Sequence, residues 1–313
     1  MRGPGLFDLQ VNGYAGVDFN DTSVTADAID HAFSAMLQGG VTHCLPTIIT
    51  AAEPDLGARL GALDRAIAAS RLGPGMAPGF HLEGPFLNPG QGYSGCHPPG
   101  AMVVPDSDLI GRLQAGLSRP ILLVTLAPEL PGAERFIRWA RGRGMVVALG
   151  HTAATSEEVA RAAEAGASLV THLGNGLAPV LPKFDNPLMA QLAEDRLHAS
   201  FIADGIHVPM RVLKVMVRAK GVGRSILVTD ATAAAAAPPG VYGFAGMRVE
   251  GREDGSVRDA ETGRLAGSAL TLEMAVRNVV GAGIATREEA LAMASGNPRT
   301  LLAPALQAFW DSA

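Results

Sequence analysis

The sequence predicts an α/β protein built as a TIM (β/α)8 barrel, and three observations carry that prediction. Short Val/Ile/Leu-rich runs alternate with longer segments whose apolar residues recur at helical spacing, the pattern of repeated βα units around a parallel sheet. The runs number eight, the strand count of such a barrel. Polar residues fall at or just beyond the ends of the runs: Gln10 and Asn12, Thr47, Glu83, Glu129, His151, His172, Asp204 and His207, and Asp230. Barrels of this kind build their active sites at the C-terminal ends of the strands, so residues distant in sequence are expected to converge. A length of 313 residues suits one such unit, and residues 1–313 are read as a single domain.

In chain order, the first strand is expected over Gly5 to Val11, followed by helical spacing from Thr25 to Gln38. The second, Val41 to Pro46, precedes a helix over Pro54 to Ser70. Gly79 to Leu82 is the third strand, and Pro120 to Leu126 the fourth, with a helix from Glu134 to Gly142. Met145 to Gly150 leads into Ser156 to Ala165, and Ser168 to Thr171 gives the sixth strand. Ala199 to Ala203 precedes a helix over Met210 to Lys220, Ser225 to Thr229 completes the eight, and one or two helices follow Thr271. The rhythm breaks between Pro239 and Ala266, where Gly-Val-Tyr-Gly-Phe, Met247 to Glu250 and Glu253 to Val257 read as short strands with an Asp-Gly turn. A β-hairpin insertion (239–266) after strand eight is therefore expected. The alanine run Ala233 to Ala237 stands before Pro238-Pro239-Gly240 and reads as a loop over the site rather than a helix.

Composition narrows the function classes. An apolar content of 48% without a stretch long enough to cross a bilayer describes a globular chain, and no membrane span is expected. The start Met1-Arg2-Gly3-Pro4-Gly5 lacks the basic flank and apolar core of a secretory signal, so a cytoplasmic location is expected. Cys44 and Cys96 form neither a CxxC pair nor a disulfide framework, which fits a reducing compartment. A net charge of −5 without a basic run argues against nucleic acid and leaves a small molecule as the expected partner.

Three of the strand ends carry a metal-ligand set: Glu83 in His81-Leu82-Glu83-Gly84-Pro85, His151 after Val147 to Gly150, and His172 after Leu169 to Thr171. One Glu, two His and an open position suit a divalent ion that holds a water, and Asp230, after Ile226 to Thr229, is a carboxylate placed to move that water's proton. Taken singly, Glu83 or Asp230 would as readily cap a helix or hold a loop, and either histidine would sit satisfied in a core. The ordered set is what points to a metal-dependent hydrolase. His81 shares a strand face with Glu83 by period-two alternation and reads as structural, as does His43, whereas His31 and His198 read as surface or helix-end residues.

Asp8 to Gly13, His81 to Asn88, Leu126 to Glu129, Gly150 to Thr155, Thr171 to Leu173, Ile202 to Val208, Val228 to Thr232 and Leu265 to Thr271 occur in this order. Together these motifs, spread over nearly the whole chain, closely resemble the N-acetylglucosamine-6-phosphate deacetylases of the amidohydrolase superfamily. The resemblance implies deacetylation of an amino-sugar phosphate, with Glu83, His151 and His172 holding one divalent ion per subunit, Zn2+ first and Fe2+ or another divalent ion as the alternative. It makes Asp230 the general base and then acid, and His97 the residue that polarises the acyl carbonyl. Substrate holding maps to Cys96, Asn175, Gly176, His207 and the backbone of Leu265, Ala266 and Gly267. It further implies a homodimer.

The chain departs from the family pattern in three places. Lys183 stands eleven residues beyond His172, where the family carries an arginine for phosphate; a lysine binds phosphate as a point charge without the guanidinium fork. Gln10 and Asn12 occupy the place of a His-x-His pair, and amides are poor transition-metal ligands, so a mononuclear site is expected. The chain begins almost at strand one and ends soon after Asn297-Pro298-Arg299, so the barrel is expected without the usual flanking β-sandwich. Two other readings stay open: a different amidohydrolase reaction, on an N-acyl amino acid or cyclic amide, and a non-catalytic paralogue that binds a sugar phosphate.

Overall fold

In a computed structural model that describes residues 5–312, eight strands lie side by side in chain order: β1 (Leu6–Val11), β2 (Val41–Ile49), β3 (Phe80–Glu83), β4 (Ile121–Leu126), β5 (Val146–Leu149), β6 (Leu169–Val170), β7 (His198–Ile202) and β8 (Ser225–Val228). All neighbours are parallel. The sheet closes where Val11 bridges Ala231, with Asp230 N donating to Gln10 O at 2.9 Å and Asn12 N to Ala231 O at 2.7 Å. This is the expected (β/α)8 barrel. Its strands are buried on both faces, which is why they read as continuous apolar runs rather than as alternation.

The outer helices follow from capping and from one apolar stripe each. Thr25 accepts from Ala28 N to start Ala26–Gln38, whose Ile29, Phe33 and Met36 recur at helical spacing and are buried against the sheet. Thr155 and Glu158 form a reciprocal capping box at the start of Ser156–Ala165. The helices Glu53–Ala69, Ala133–Gly142 and Met210–Lys220 also lie within a residue of their expected bounds. No helix among the described residues is long and apolar enough to cross a membrane.

Two expectations are corrected. Strand β2 continues past Pro46 to Ile49, because Val11 N is satisfied by the Thr47 hydroxyl at 3.1 Å where the register of β1 shifts, so the proline does not end the pairing. The insertion is a three-stranded antiparallel sheet rather than a hairpin: β9 (Gly240–Phe244), β10 (Met247–Gly251) and β11 (Val257–Asp259). Its tight turn is Ala245-Gly246, both left-handed at φ 52° and 87°, the two-residue geometry that matches strand twist. Asp254-Gly255 makes the longer connection into β11. The insertion packs Phe244, Val249 and Val257 with Ile49, Ala234 and Ala266 into a small core of its own, placed over the strand ends. The alanine run forms turns, with Ala233 and Ala235 carbonyls accepting from Gly16 N and Ala15 N.

Candidate active site

At the C-terminal end of the barrel, Glu83, His97, His151, His172 and Asp230 line one pocket of about 130 Å³. His172 Nε2 lies 2.8 Å from Glu83 Oε1, His151 Nε2 lies 3.3 Å from the same oxygen, and the two ring nitrogens are 3.2 Å apart. Strand ends alone do not aim these groups. His151, His172 and Asp230 each adopt left-handed backbone, at φ 52°, 31° and 51°, which turns the chain sharply where it leaves β5, β6 and β8. For residues with a Cβ that conformation costs on the order of 1–2 kcal/mol apiece, a cost the surrounding barrel has to offset. Gly176 and Gly95 complete the arrangement, since a Cβ at either would meet the His151 ring at 2.6 Å and 3.0 Å.

The hydrogen bonds behind the rings decide what they present. His151 Nδ1 is 2.7 Å from the Tyr93 carbonyl, which can only accept, so the proton sits on Nδ1 and Nε2 offers a lone pair. His97 Nδ1 is 2.9 Å from Thr50 Oγ1, whose own hydrogen goes to Glu83 O at 3.1 Å, so neutral His97 likewise turns a lone pair inward. Glu83 Oε1 and the Nε2 atoms of His151 and His172 lie within 3.3 Å of one another, and donor atoms of Glu83, His97 and His151 lie within 4.8 Å, so a carboxylate and inward-facing imidazole nitrogens crowd one point and repel unless a cation lies among them. These buried residues fit a divalent ion.

Titration follows the same crowding. Burial acts to raise Glu83, but the neighbouring His151 and His172 rings hold it well below the usual carboxylate range. Burial drives His97 down to about 3, while His172 is raised because Glu83 outweighs its own burial. Asp230 is pushed up to about 6 by burial and by the Glu83 charge. Its Oδ1 accepts from Asn12 Nδ2 at 2.7 Å and Gln10 Nε2 at 3.2 Å. The two amides that replace a ligand pair thus orient the carboxylate, a role that spacing did not reveal.

The pocket is completed by Cys96, Asn175, Gly176, His207, Leu265 and Gly267. Burial raises the Cys96 thiol well above its ordinary value. Asn175 Nδ2 also donates to His172 O at 3.0 Å, so it turns the chain as well as lining the site. Asp204 Oδ2 lies 2.6 Å from His207 Nδ1 and leaves Nε2 as that ring's free nitrogen. Ala266 is buried in the small core under the insertion. Lys183 is not brought into the pocket: it is exposed, 5.2 Å from the Phe184 ring. His81 lies between Thr47 and Thr125, 3.4 Å and 2.8 Å away, and burial lowers it to about 4, as suits a structural ring.

Several residues escaped the sequence reading. Thr50 and Tyr93 orient two of the imidazoles. Glu129, a polar strand end within a recurring motif but without a role read from the sequence, accepts from Asn88 Nδ2, Ala153 N and the Thr152 hydroxyl, tying the loop after Glu83 to the loop after His151. Phe244 enters the pocket from the insertion.

No protein-family model matches the chain. Known proteins do resemble it. It is 36% identical over 301 residues to an N-acetylgalactosamine-6-phosphate deacetylase of Escherichia coli, covering 96% of this chain and 77% of that protein. It is 33% identical over 309 residues to an N-acetylglucosamine-6-phosphate deacetylase of Homo sapiens, covering 96% and 74%. Among solved structures, a mutant N-acetyl-D-glucosamine-6-phosphate deacetylase from Mycobacterium smegmatis, in complex with N-acetyl-D-glucosamine-6-phosphate, superposes with a TM-score of 0.86 at 31% identity, over 96% of this chain and 77% of that one. The N-acetylglucosamine-6-phosphate deacetylase of Pasteurella multocida gives 0.85 at 29% identity, with the same coverage.

Proposed function

Because the chain belongs to the N-acetylglucosamine-6-phosphate deacetylase family of the amidohydrolase superfamily, we propose that it hydrolyses the acetamide of N-acetylglucosamine 6-phosphate to glucosamine 6-phosphate and acetate. The observation that carries this reading is the buried meeting of Glu83, His151 and His172 in one pocket with an oriented Asp230.

Glu83, His151 and His172 would hold one divalent ion, which we take to be Zn2+ with Fe2+ as the alternative. When bound, the ion supplies Lewis acidity toward a water and the acyl carbonyl. Asp230 does the proton work. With Oδ1 held by Asn12 and Gln10, Oδ2 is left to take a proton from the attacking water and return it to the departing amine, and a pKa near 6 suits both directions near neutrality. Water's oxygen joins the acyl carbon as the C–N bond breaks, and the proton ends on the amine. His97, its Nδ1–H donated to Thr50, faces the acyl carbonyl with Nε2, which polarises the carbonyl oxygen when the developing negative charge there brings a second proton onto the ring.

The sugar is assigned to Asn175, Gly176, His207 and the Leu265–Gly267 backbone, Cys96 to the side of the pocket that meets the acyl group, and the phosphate, which leaves the pocket, to Lys183 on the exposed loop outside it. The homodimer we propose would cover Val180 and Phe184, which are 84% and 76% exposed on either side of that lysine. The unpaired Cys44 and Cys96 support a cytoplasmic location.

The deciding assay measures amine release by the zinc-loaded protein from N-acetylglucosamine 6-phosphate, beside its galactosamine epimer and free N-acetylglucosamine. Asp230→Asn is the blank. Turnover that disappears in the variant supports the reading, and a metal-loaded protein that turns over none of the three rejects it. Lys183→Ala should raise KM for the phosphate ester far more than for the free sugar, and equal effects on both would remove its role.

A further inference from the structure

On one side of the pocket Ile49, Cys96 and Phe244 meet as an apolar patch, Ile49 and Phe244 sharing the small core beneath the insertion and Cys96 packing against it. Behind the patch lies a second cavity of about 480 Å³, bounded by Thr50 to Ala52, Pro98, Arg59 and the Ala245–Met247 turn. Ile49 and Cys96 are the two residues that line both spaces. The patch is tied to the reacting end of the pocket. Cys96 directly precedes His97, and Thr50, directly after Ile49, holds the His97 ring at 2.9 Å.

That placement matters for the part of the substrate facing it. An acyl carbonyl attacked here must reach Glu83, His97 and Asp230, while the sugar hangs from the amide nitrogen toward Asn175 and His207 on other loops. What remains, on the far side of the carbonyl carbon, is the acyl chain, the one apolar portion of such a molecule. We propose that Ile49, Cys96 and Phe244 form a wall that sets acyl length, admitting a methyl group and refusing longer chains, with Ile49 closing off the cavity behind. This rests on the deacetylase reading and adds to it which acyl group is accepted. A chain lengthened by two methylenes would have to overpack the wall, whereas removing the Ile49 side chain opens a route into space that already exists.

The test compares kcat/KM for N-acetyl- and N-butyryl-glucosamine 6-phosphate in the wild type, Ile49→Ala and Ile49→Val. Ile49→Val guards against the larger deletion unfolding the small core. Apolar pockets discriminate by roughly tenfold or more per methylene, so the wild type should prefer acetyl by at least about tenfold. Ile49→Ala should narrow that ratio by about tenfold, and Ile49→Val by less in the same direction. A wild type that takes butyryl as readily as acetyl overturns the wall, and so does a folded Ile49 variant with the wild-type ratio. Acetyl turnover with an unchanged ratio sinks the wall alone. Turnover of neither compound by any form sinks the deacetylase reading and the wall with it.

Discussion

His97 turns on one proton. With Nδ1 committed to Thr50, its Nε2 is an acceptor when the ring is neutral and a carbonyl-polarising donor only when the ring carries a second proton, which a developing negative charge on the substrate would favour. Removing a donor of that kind typically costs about 10²–10³ in kcat. We therefore expect His97→Asn to keep one metal per chain by elemental analysis while kcat falls by about that factor. Loss of the metal would instead move His97 into the ligand set. The sequence showed Glu83, His151, His172 and Asp230 because each follows an apolar run and the four recur in order. Thr50 and Tyr93 were illegible, since one acts through a hydroxyl and the other through a backbone carbonyl, and neither has a spacing rule. Lys183 was visible as a residue, but the loop that carries it outward was not.

At the scale of elements, the helix Met210–Lys220 is joined to Pro187–Ala193 by the last residue of the former. Lys220 is fully buried, and its Nζ donates to Gln191 O and Glu194 O, both at 2.7 Å, satisfying carbonyls at the end of the shorter helix. Its methionine replacement keeps the apolar stem but orphans two buried acceptors at about 1–3 kcal/mol each. Lys220→Met should lower unfolding stability by about 2–4 kcal/mol in urea denaturation. A change below about 0.5 kcal/mol would mean that the carbonyls find other donors. From sequence, a lysine ending a helix reads as solvated, so nothing flagged it. Elements with a strong period and a cap, such as Ser156–Ala165, were legible to the residue. The third strand of the insertion was read too early, at Glu253 to Val257, because three residues, Val257–Asp259, carry too little alternation to fix where its pairing begins.

For the whole molecule, closure of the barrel depends on the seam between β1 and β8, and a buried carboxyl sits in it. Asp8 accepts from the Thr229 hydroxyl at 2.6 Å and from the backbone N–H groups of Thr229 and Gln10, both at 3.2 Å. Burial raises it from 3.8 to about 7, against the opposing effect of those bonds. Between these values the folded protein holds a proton that the unfolded chain has released. The stability this contributes is complete below about pH 4 and is lost as pH rises through about 7, at up to about 1.4 kcal/mol per pH unit. Denaturation midpoints of the wild type and Asp8→Asn, taken from pH 4.5 to 8, should show the wild type losing ground to the variant over that window. Parallel profiles would mean that Asp8 stays ionised in the fold. Strand number and order were legible at this scale because each βα unit repeats the same signal, whereas the seam joins residues some 220 positions apart through side chains, which no local pattern encodes.

The left-handed backbone at His151, His172 and Asp230 has an evolutionary consequence. At these positions activity and thermodynamic fitness select in opposite directions: glycine would relax the chain while erasing the site. A duplicate of this gene released from catalytic duty would gain stability by losing its function first at these three codons. Its sequence would then record that history as glycine or asparagine exchanges clustered at the barrel's rim, on an otherwise preserved core.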